Sequence, residues 1–155
     1  MTSILKVSTI QNTAGAAPTA ADLGLNVAGS VIQAVNVTAN AVSISAASPT
    51  TIVTTNITTQ ANSKLYIAFS SDLNSDTAGA WKYNQVFLDN VLQTGNISST
   101  ATASFQSCVS LVHLSSAVTA GTHTVKITGH SGGGTSTYAE AGLNGNSLVV
   151  MEIAG

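Results

Sequence analysis

Asn84-Gln85-Val86-Phe87-Leu88-Asp89-Asn90-Val91-Leu92-Gln93 reads as two strands joined by a two-residue turn. Asp89 and Asn90 tolerate the positive φ values that tight hairpin turns demand, and apolar residues flank them on both sides. A lone hairpin is marginal in water and needs further strands to cover its apolar face. The surrounding sequence supplies them. Upstream, Lys64-Leu65-Tyr66-Ile67-Ala68-Phe69 places Leu65, Ile67 and Phe69 on one face. Before that come Val42 and Ile44, then Pro49, then Thr51-Ile52-Val53-Thr54-Thr55. Further upstream, Val31, Gln33, Val35 and Val37 are expected on one face of a strand, with Ile32, Ala34 and Asn36 on the other.

Downstream, residues 104–114 form the longest uninterrupted strand candidate. A turn at Ala120-Gly121 leads into Thr122-His123-Thr124-Val125-Lys126-Ile127-Thr128. There Val125 and Ile127 should point inward, and Thr124, Lys126 and Thr128 outward. After Gly132-Gly133-Gly134 the last strand is expected at Ser147-Leu148-Val149-Val150-Met151-Glu152-Ile153. Strands recurring between turn signals, with no long helix, predict an all-β antiparallel sandwich, jelly-roll-like, over residues 30–155. No repeat of fixed period points to a solenoid or a fibre shaft.

The surface of such a domain is unusual here. Only 6% of the 155 residues are charged, against about 25% in ordinary globular chains. There is no arginine, and the lysines are Lys6, Lys64, Lys82 and Lys126. About a quarter of the residues are Ser or Thr, and mean hydropathy is +0.33. The chain therefore has the apolar content to fold, with an exterior of hydroxyls, amides and small apolar groups. Near-zero charge promotes association, so the composition fits a protein that sits against other copies or other subunits. A merely Ser/Thr-rich exported protein is the plainer alternative.

Four lysines cannot neutralise a row of phosphates, which argues against nucleic acid as a partner. No apolar run approaches the 18 residues of a membrane helix. Met1-Thr2-Ser3-Ile4-Leu5-Lys6 lacks the basic and apolar regions of a signal peptide. Cys108 alone makes no disulfide framework, and it is expected as a small buried hydrophobe inside its strand. Assembly in a cytoplasm is the expectation from these features.

Residues 1–29 differ in texture, being small and punctuated by Gly15, Pro18, Gly24 and Gly29. They read either as a disordered leader or as an extended arm that orders on a neighbouring subunit. In the second reading Leu5, Val7, Ile10, Leu23 and Leu25 are the anchoring residues. At most a helical turn is drawn at Thr19-Ala20-Ala21-Asp22-Leu23.

Catalytic chemistry has little to build on. Asp72-Leu73-Asn74-Ser75-Asp76-Thr77-Ala78-Gly79 begins like a calcium loop but lacks its later glycine and acid, so a polar loop is the better reading. His113, His123 and His130 have no ligand-like spacing. His130 is expected on the solvent face, His123 on the Val125 and Ile127 face, and His113 as a core or interface histidine. Glycosidase chemistry needs a carboxylate pair, which six scattered acids do not offer. No metal, cofactor or catalytic residue is assigned. Three Asn-x-Ser/Thr triplets, at Asn36, Asn56 and Asn96, are expected by chance in such a composition. Glu152, inside an apolar strand, either faces water at an edge or is held by a lysine or hydroxyl at an interface.

The opening SILKVSTIQNTAGAAPTAADLGLN, the step GSVIQAVNVT at 29–38 and the close SLVVMEIAG resemble virion proteins of tailed phages, those of cyanobacteria and marine bacteria in particular. The resemblance covers both ends; residues 60–140 are similar only in style. It implies a homotrimeric, jelly-roll-like domain on the outside of the particle. The N-terminal arm would attach it to the major capsid protein or another virion protein. A capsid decoration (cement) protein is the preferred role, because 155 residues leave no room for a shaft between anchor and knob. The alternative is a tail-fibre or head-fibre tip that binds a host receptor, with Trp81, Tyr83 and Asn84 as the contact loop. A carbohydrate-binding module would want exposed aromatics, for which Trp81, Tyr83 and Tyr138 are the candidates.

Overall fold

The computed structural model describes residues 28–45, 48–99, 103, 105–139 and 145–155. The anchoring candidates Leu5, Val7, Ile10, Leu23 and Leu25, and the helical turn at 19–23, lie outside them. Ten strands follow one another: β1 (Val31–Ala39), β2 (Val42–Ile44), β3 (Thr50–Thr59), β4 (Lys64–Ser75) and β5 (Trp81–Leu88), then β6 (Val91–Ser99), β7 (Phe105–Leu114), β8 (Gly121–Ser131), β9 (Ser136–Tyr138) and β10 (Asn146–Ile153). All pairings are antiparallel.

One sheet has the order β3-β8-β5-β6; the other runs β1-β10-β4-β9-β2, with β7 along the far side of β4. β9 and β10 lie end to end on the same side of β4, facing Leu73–Ser75 and Lys64–Ser70 in turn. β1 and β2 lie end to end beyond them. Counted as one interrupted strand each, these pairs reduce the second sheet to β1-β10-β4-β7. Two four-stranded sheets in these orders have the connectivity of a jelly roll. The fold is the expected all-β sandwich.

The alternation that marks each strand becomes the two sides of the sandwich. Leu65, Ile67, Phe69 and Leu73 of β4, Leu148 and Val150 of β10, Val86 and Leu88 of β5, and Val125 and Ile127 of β8 all face inward and are buried. Each such side chain stabilises the fold by about 1.5–3 kcal/mol relative to exposure. The turn between β5 and β6 forms where the sequence places it, with φ of 51° at Asp89 and 65° at Asn90. Its side chains also tie it to β8. Asp89 Oδ1 accepts from the Thr124 amide at 2.8 Å, and Asn90 Oδ1 accepts from Lys126 Nζ at 2.9 Å.

Gly129 is required where it stands. A Cβ there would lie 2.9 Å from Ile44 Cδ1 and from the Tyr138 hydroxyl, and 3.0 Å from Ile52 Cδ1. Its absence lets β2, β3 and β9 close over β8.

Three expectations fail locally. A register shift between Val31 and Gln33 breaks the first strand's single face. Val35 and Val37 pack on the core, Val31 turns outward opposite Ile153, and Gln33 reaches Glu152 at the sandwich margin. Such a bulge reverses the side-chain parity before it. Thr128, expected to be open to solvent, is buried on the outer face between Thr51 and Gln85. Cys108 is exposed, because Val109 and Leu111 take the inward parity of β7.

Candidate functional site

The sandwich is apolar in the middle and polar at both ends. At one end β5 turns Lys82 and Asn84 inward, in step with Val86 and Leu88, and both are 0% exposed. Lys82 Nζ donates to Ser131 Oγ and to the Gly133 carbonyl, each at 2.7 Å. Burial pushes its ammonium below the usual lysine range, against the opposing pull of Asp76. Asn84 Nδ2 donates to Asn96 Oδ1 and Ser98 Oγ at 3.0 Å, and Asn84 Oδ1 accepts from the Tyr138 hydroxyl at 2.6 Å. Burial pushes the Tyr138 phenol far up, which keeps it a donor.

This polar layer carries two loops, Asp76–Ala80 and Gly132–Thr135. Asp76 spans them: its Oδ1 accepts from Thr77 Oγ1 and from the Thr135 amide, both at 2.8 Å, and its own amide donates to the Thr135 carbonyl. Those hydrogen bonds, Thr77 first, hold its carboxyl below the usual range. Between the loops and the outer face of β5 and β8 lies an open cleft of about 510 Å³. Trp81 stands at its rim, 60% exposed. Tyr83 stacks on His130 with ring centres 4.4 Å apart and planes 10° apart, and meets Trp81 edge-on at 6.4 Å.

Of the expected contact residues, the structure therefore brings Trp81 and Tyr83 together on strand β5 rather than in a loop. Asn84 is a correction. Strand parity turns it into the core, where four polar groups occupy it. Tyr138 is corrected likewise, at 1% exposed beneath the sheets. His130, expected on an open face, is half-buried against Tyr83. Lys82 was the residue sequence reasoning passed over, although its even spacing from Asn84, Val86 and Leu88 carried the signal.

The opposite end holds two further polar clusters. Glu152 faces inward at 0% exposed, neither open to water nor held by a lysine: two amides hold it, with the Ser63 hydroxyl. It accepts from Gln33 Nε2 at 2.6 Å and from the Gln60 amide at 2.7 Å. Burial pushes its carboxyl up, but the hydrogen bonds from Gln33, Gln60 and Ser63 outweigh that and hold it below the usual range. His123, on the Val125 and Ile127 face as expected, contacts Asp89 Oδ2 through Nδ1 at 2.7 Å. The Asp89 and Thr119 hydrogen bonds raise its pKa above the usual histidine value. His113 is half-buried, its Nε2 without a partner among the described residues. Among the described residues no three His, Cys, Asp or Glu side chains gather.

The outer face of the β1-β10-β4-β7 sheet is the other conspicuous surface. Register aligns Ala34, Met151, Tyr66 and Leu114 in one row and Asn36, Val149, Ala68 and Val112 in the next. Val31 and Ile153 continue it beside Lys64. Val112 is 57% exposed, Leu114 53% and Val31 55%. Farther along, a depression of about 650 Å³ is lined by hydroxyls with Asp72 and Cys108.

Fold and surfaces together define a two-sheet jelly-roll sandwich with a hydrogen-bonded polar end, an aromatic cleft and an uncharged apolar face. No protein-family model matches the chain. No curated protein matches it either. Among solved structures it is similar to dimeric latent PorU from Porphyromonas gingivalis, with a TM-score of 0.41 and 10% identity over 83% of this chain. The chain spans 14% of that structure's length.

Proposed function

We propose that this chain is a non-catalytic virion protein that works as a trimer, decorating and stabilising a phage shell. The observation that carries the reading is the outer face around Tyr66, Ala68, Val112, Leu114, Val149 and Met151, which is apolar, with Lys64 only at its corner. Four strands about 4.8 Å apart and three rows about 7 Å apart give it roughly 400 Å². A stable interface takes about 800 Å² from each partner, so this patch is the apolar centre of a larger contact. Its surroundings are Ser, Thr and Asn, a polar rim without charge repulsion between copies.

Further exposed apolar side chains lie elsewhere, on the edge strand β6, with Leu92 and Ile97 at 51% and 61% exposed on its outer side and Val91 at 62% on the other. Two unlike patches favour a heterologous contact, which closes into a ring when the rotation allows. A ring of any size satisfies that geometry; the choice of three copies rests on the resemblance to phage virion proteins. The N-terminal segment is then the attachment to the shell.

Light scattering on the full chain tests the assembly. The expected result is three chains, falling to one in Val112→Lys with the melting transition still cooperative. A wild-type monomer at micromolar concentration refutes it, as does a Val112→Lys variant that stays trimeric. For the shell role, particles lacking the protein should lose heat resistance, because a ligand of the assembled state alone stabilises it by linkage. Unchanged heat resistance with lost host adsorption favours the fibre-tip reading, which the exposure of Trp81 supports.

A further inference from the structure

We propose that the cleft between the Asp76–Ala80 and Gly132–Thr135 loops is a binding site for a neutral glycan, with Trp81 as the stacking platform. The inference does not rest on the assembly reading, whose apolar centre lies on the other sheet, although Ile97 on β6 is paired with Tyr83.

Trp81 is the chain's one tryptophan, yet it is 60% exposed. An indole left in water loses most of the stabilisation its burial would bring. This one is also held still. Tyr83 meets it edge-on, and Tyr83 is itself fixed by stacking on His130. The Gly132 amide donates to the Trp81 carbonyl at 2.8 Å, fastening the β8–β9 loop to the same residue.

The walls are preorganised from beneath. Lys82 grips the Gly133 carbonyl and Ser131 from inside the sandwich, and Asp76 joins the two loops. A cleft whose shape is set before binding loses little entropy on filling.

The lining selects the chemistry. Among the described residues it contains no carboxylate, lysine or arginine. The nearest charges are already engaged: Lys82 is fully buried, and Asp76 holds two loop donors. An ionic ligand would find only the His130 imidazole, already stacked on Tyr83, and the Asp76 carboxylate, already bonded to both loops. A purely apolar ligand would cover the polar backbone of Ala78–Ala80 and the Tyr83 hydroxyl and offer them no partner. A pyranose suits both requirements, presenting a C–H face to the indole and hydroxyls to the loops. The cleft volume of about 510 Å³ falls in the range of small-molecule sites, and a sugar unit or two would fill it. Each site should be weak because it is open; copies in an assembly would multiply its effect.

The test uses the full chain and its single tryptophan. Intrinsic fluorescence is titrated with maltotriose, mannotriose, lactose and tri-N-acetylchitotriose, with glucuronate and inorganic phosphate as charged counterparts. At least one neutral sugar should give a saturable change. Calorimetry should show that sugar's affinity reduced at least tenfold in Trp81→Ala, less in Trp81→Phe, which retains a stacking face. Trp81 is exposed, so both variants should melt as the wild type does. No saturable response to any neutral sugar, a response confined to the charged compounds, or unchanged affinity in Trp81→Ala would overturn the proposal. A change in oligomeric state in Trp81→Ala with no sugar response would assign the residue to a protein contact instead.

Discussion

Replacing Tyr138 with Phe removes one oxygen from the polar end of the sandwich and nothing else. In the native domain that hydroxyl donates to Asn84 Oδ1 at 2.6 Å, with the two residues 1% and 0% exposed. Asn84 cannot turn its amide to recover, because Nδ2 is committed to Asn96 Oδ1 and Ser98 Oγ. The variant therefore leaves a buried carbonyl oxygen without a donor, a loss of about 1–3 kcal/mol. A Phe ring is easier to desolvate than a phenol, which offsets a little, so about 2 kcal/mol is expected. For a chain of this size that lowers Tm by about 4–8 °C. Urea unfolding at one fixed chain concentration is the suitable assay, since assembly would make apparent stability concentration-dependent. A cycle with Asn84→Ala should give a coupling of about 1 kcal/mol or more. A loss below about 0.5 kcal/mol, or additive single and double variants, would refute the reasoning. Either result would mean that water or another group satisfies Asn84.

The His123–Asp89 pair makes stability depend on pH in both directions. Raised by Asp89, the His123 contribution is complete below its unfolded value of 6.5 and disappears as pH rises through its folded value. Burial pushes Asp89 up, but His123 and the Thr124 amide pull it further down, so its contribution is present above 3.8 and lost as pH falls through its folded value. Solvent screens the half-exposed Asp89, so the effect is at most about 1 kcal/mol; His123→Gln should flatten the alkaline fall in a Tm-against-pH curve. Gly129→Ala should destabilise by about 1–3 kcal/mol in thermal unfolding, as overpacking does. The new methyl meets Ile44, Ile52 and Tyr138 at once; an unchanged Tm would mean that β2 and β9 can give way.

Much of the fold is readable along the chain because a strand's two faces repeat every second residue. The turn at Asp89-Asn90, the inward set Leu65, Ile67 and Phe69, and the pair Val125 and Ile127 all appear in the structure as spacing predicts. The same spacing puts Glu152 in step with Leu148 and Val150, and Lys82 in step with Val86 and Leu88, but parity alone did not say whether a charge would be buried there. Whether a buried charge is tolerated depends on donors or acceptors from distant segments: Gln33 and Gln60 for Glu152, Ser131 and Gly133 for Lys82.

Where a local irregularity intervenes, parity fails, as at Val31, whose bulge no residue type announces. The candidate cleft divides in the same way. Exposed aromatics at Trp81 and Tyr83 could be suspected from residue type alone, whereas Asn84 and Tyr138 looked equally available until β5, β6 and β9 closed around them. Composition and alternation thus determined an all-β sandwich with an almost uncharged surface, because both are properties of single residues and their near neighbours. Sheet order, the pairing of Lys82 with the loop of Gly133, and the apolar rows of Tyr66 and Leu114 were decided only in three dimensions, because each depends on which distant strands come to lie side by side.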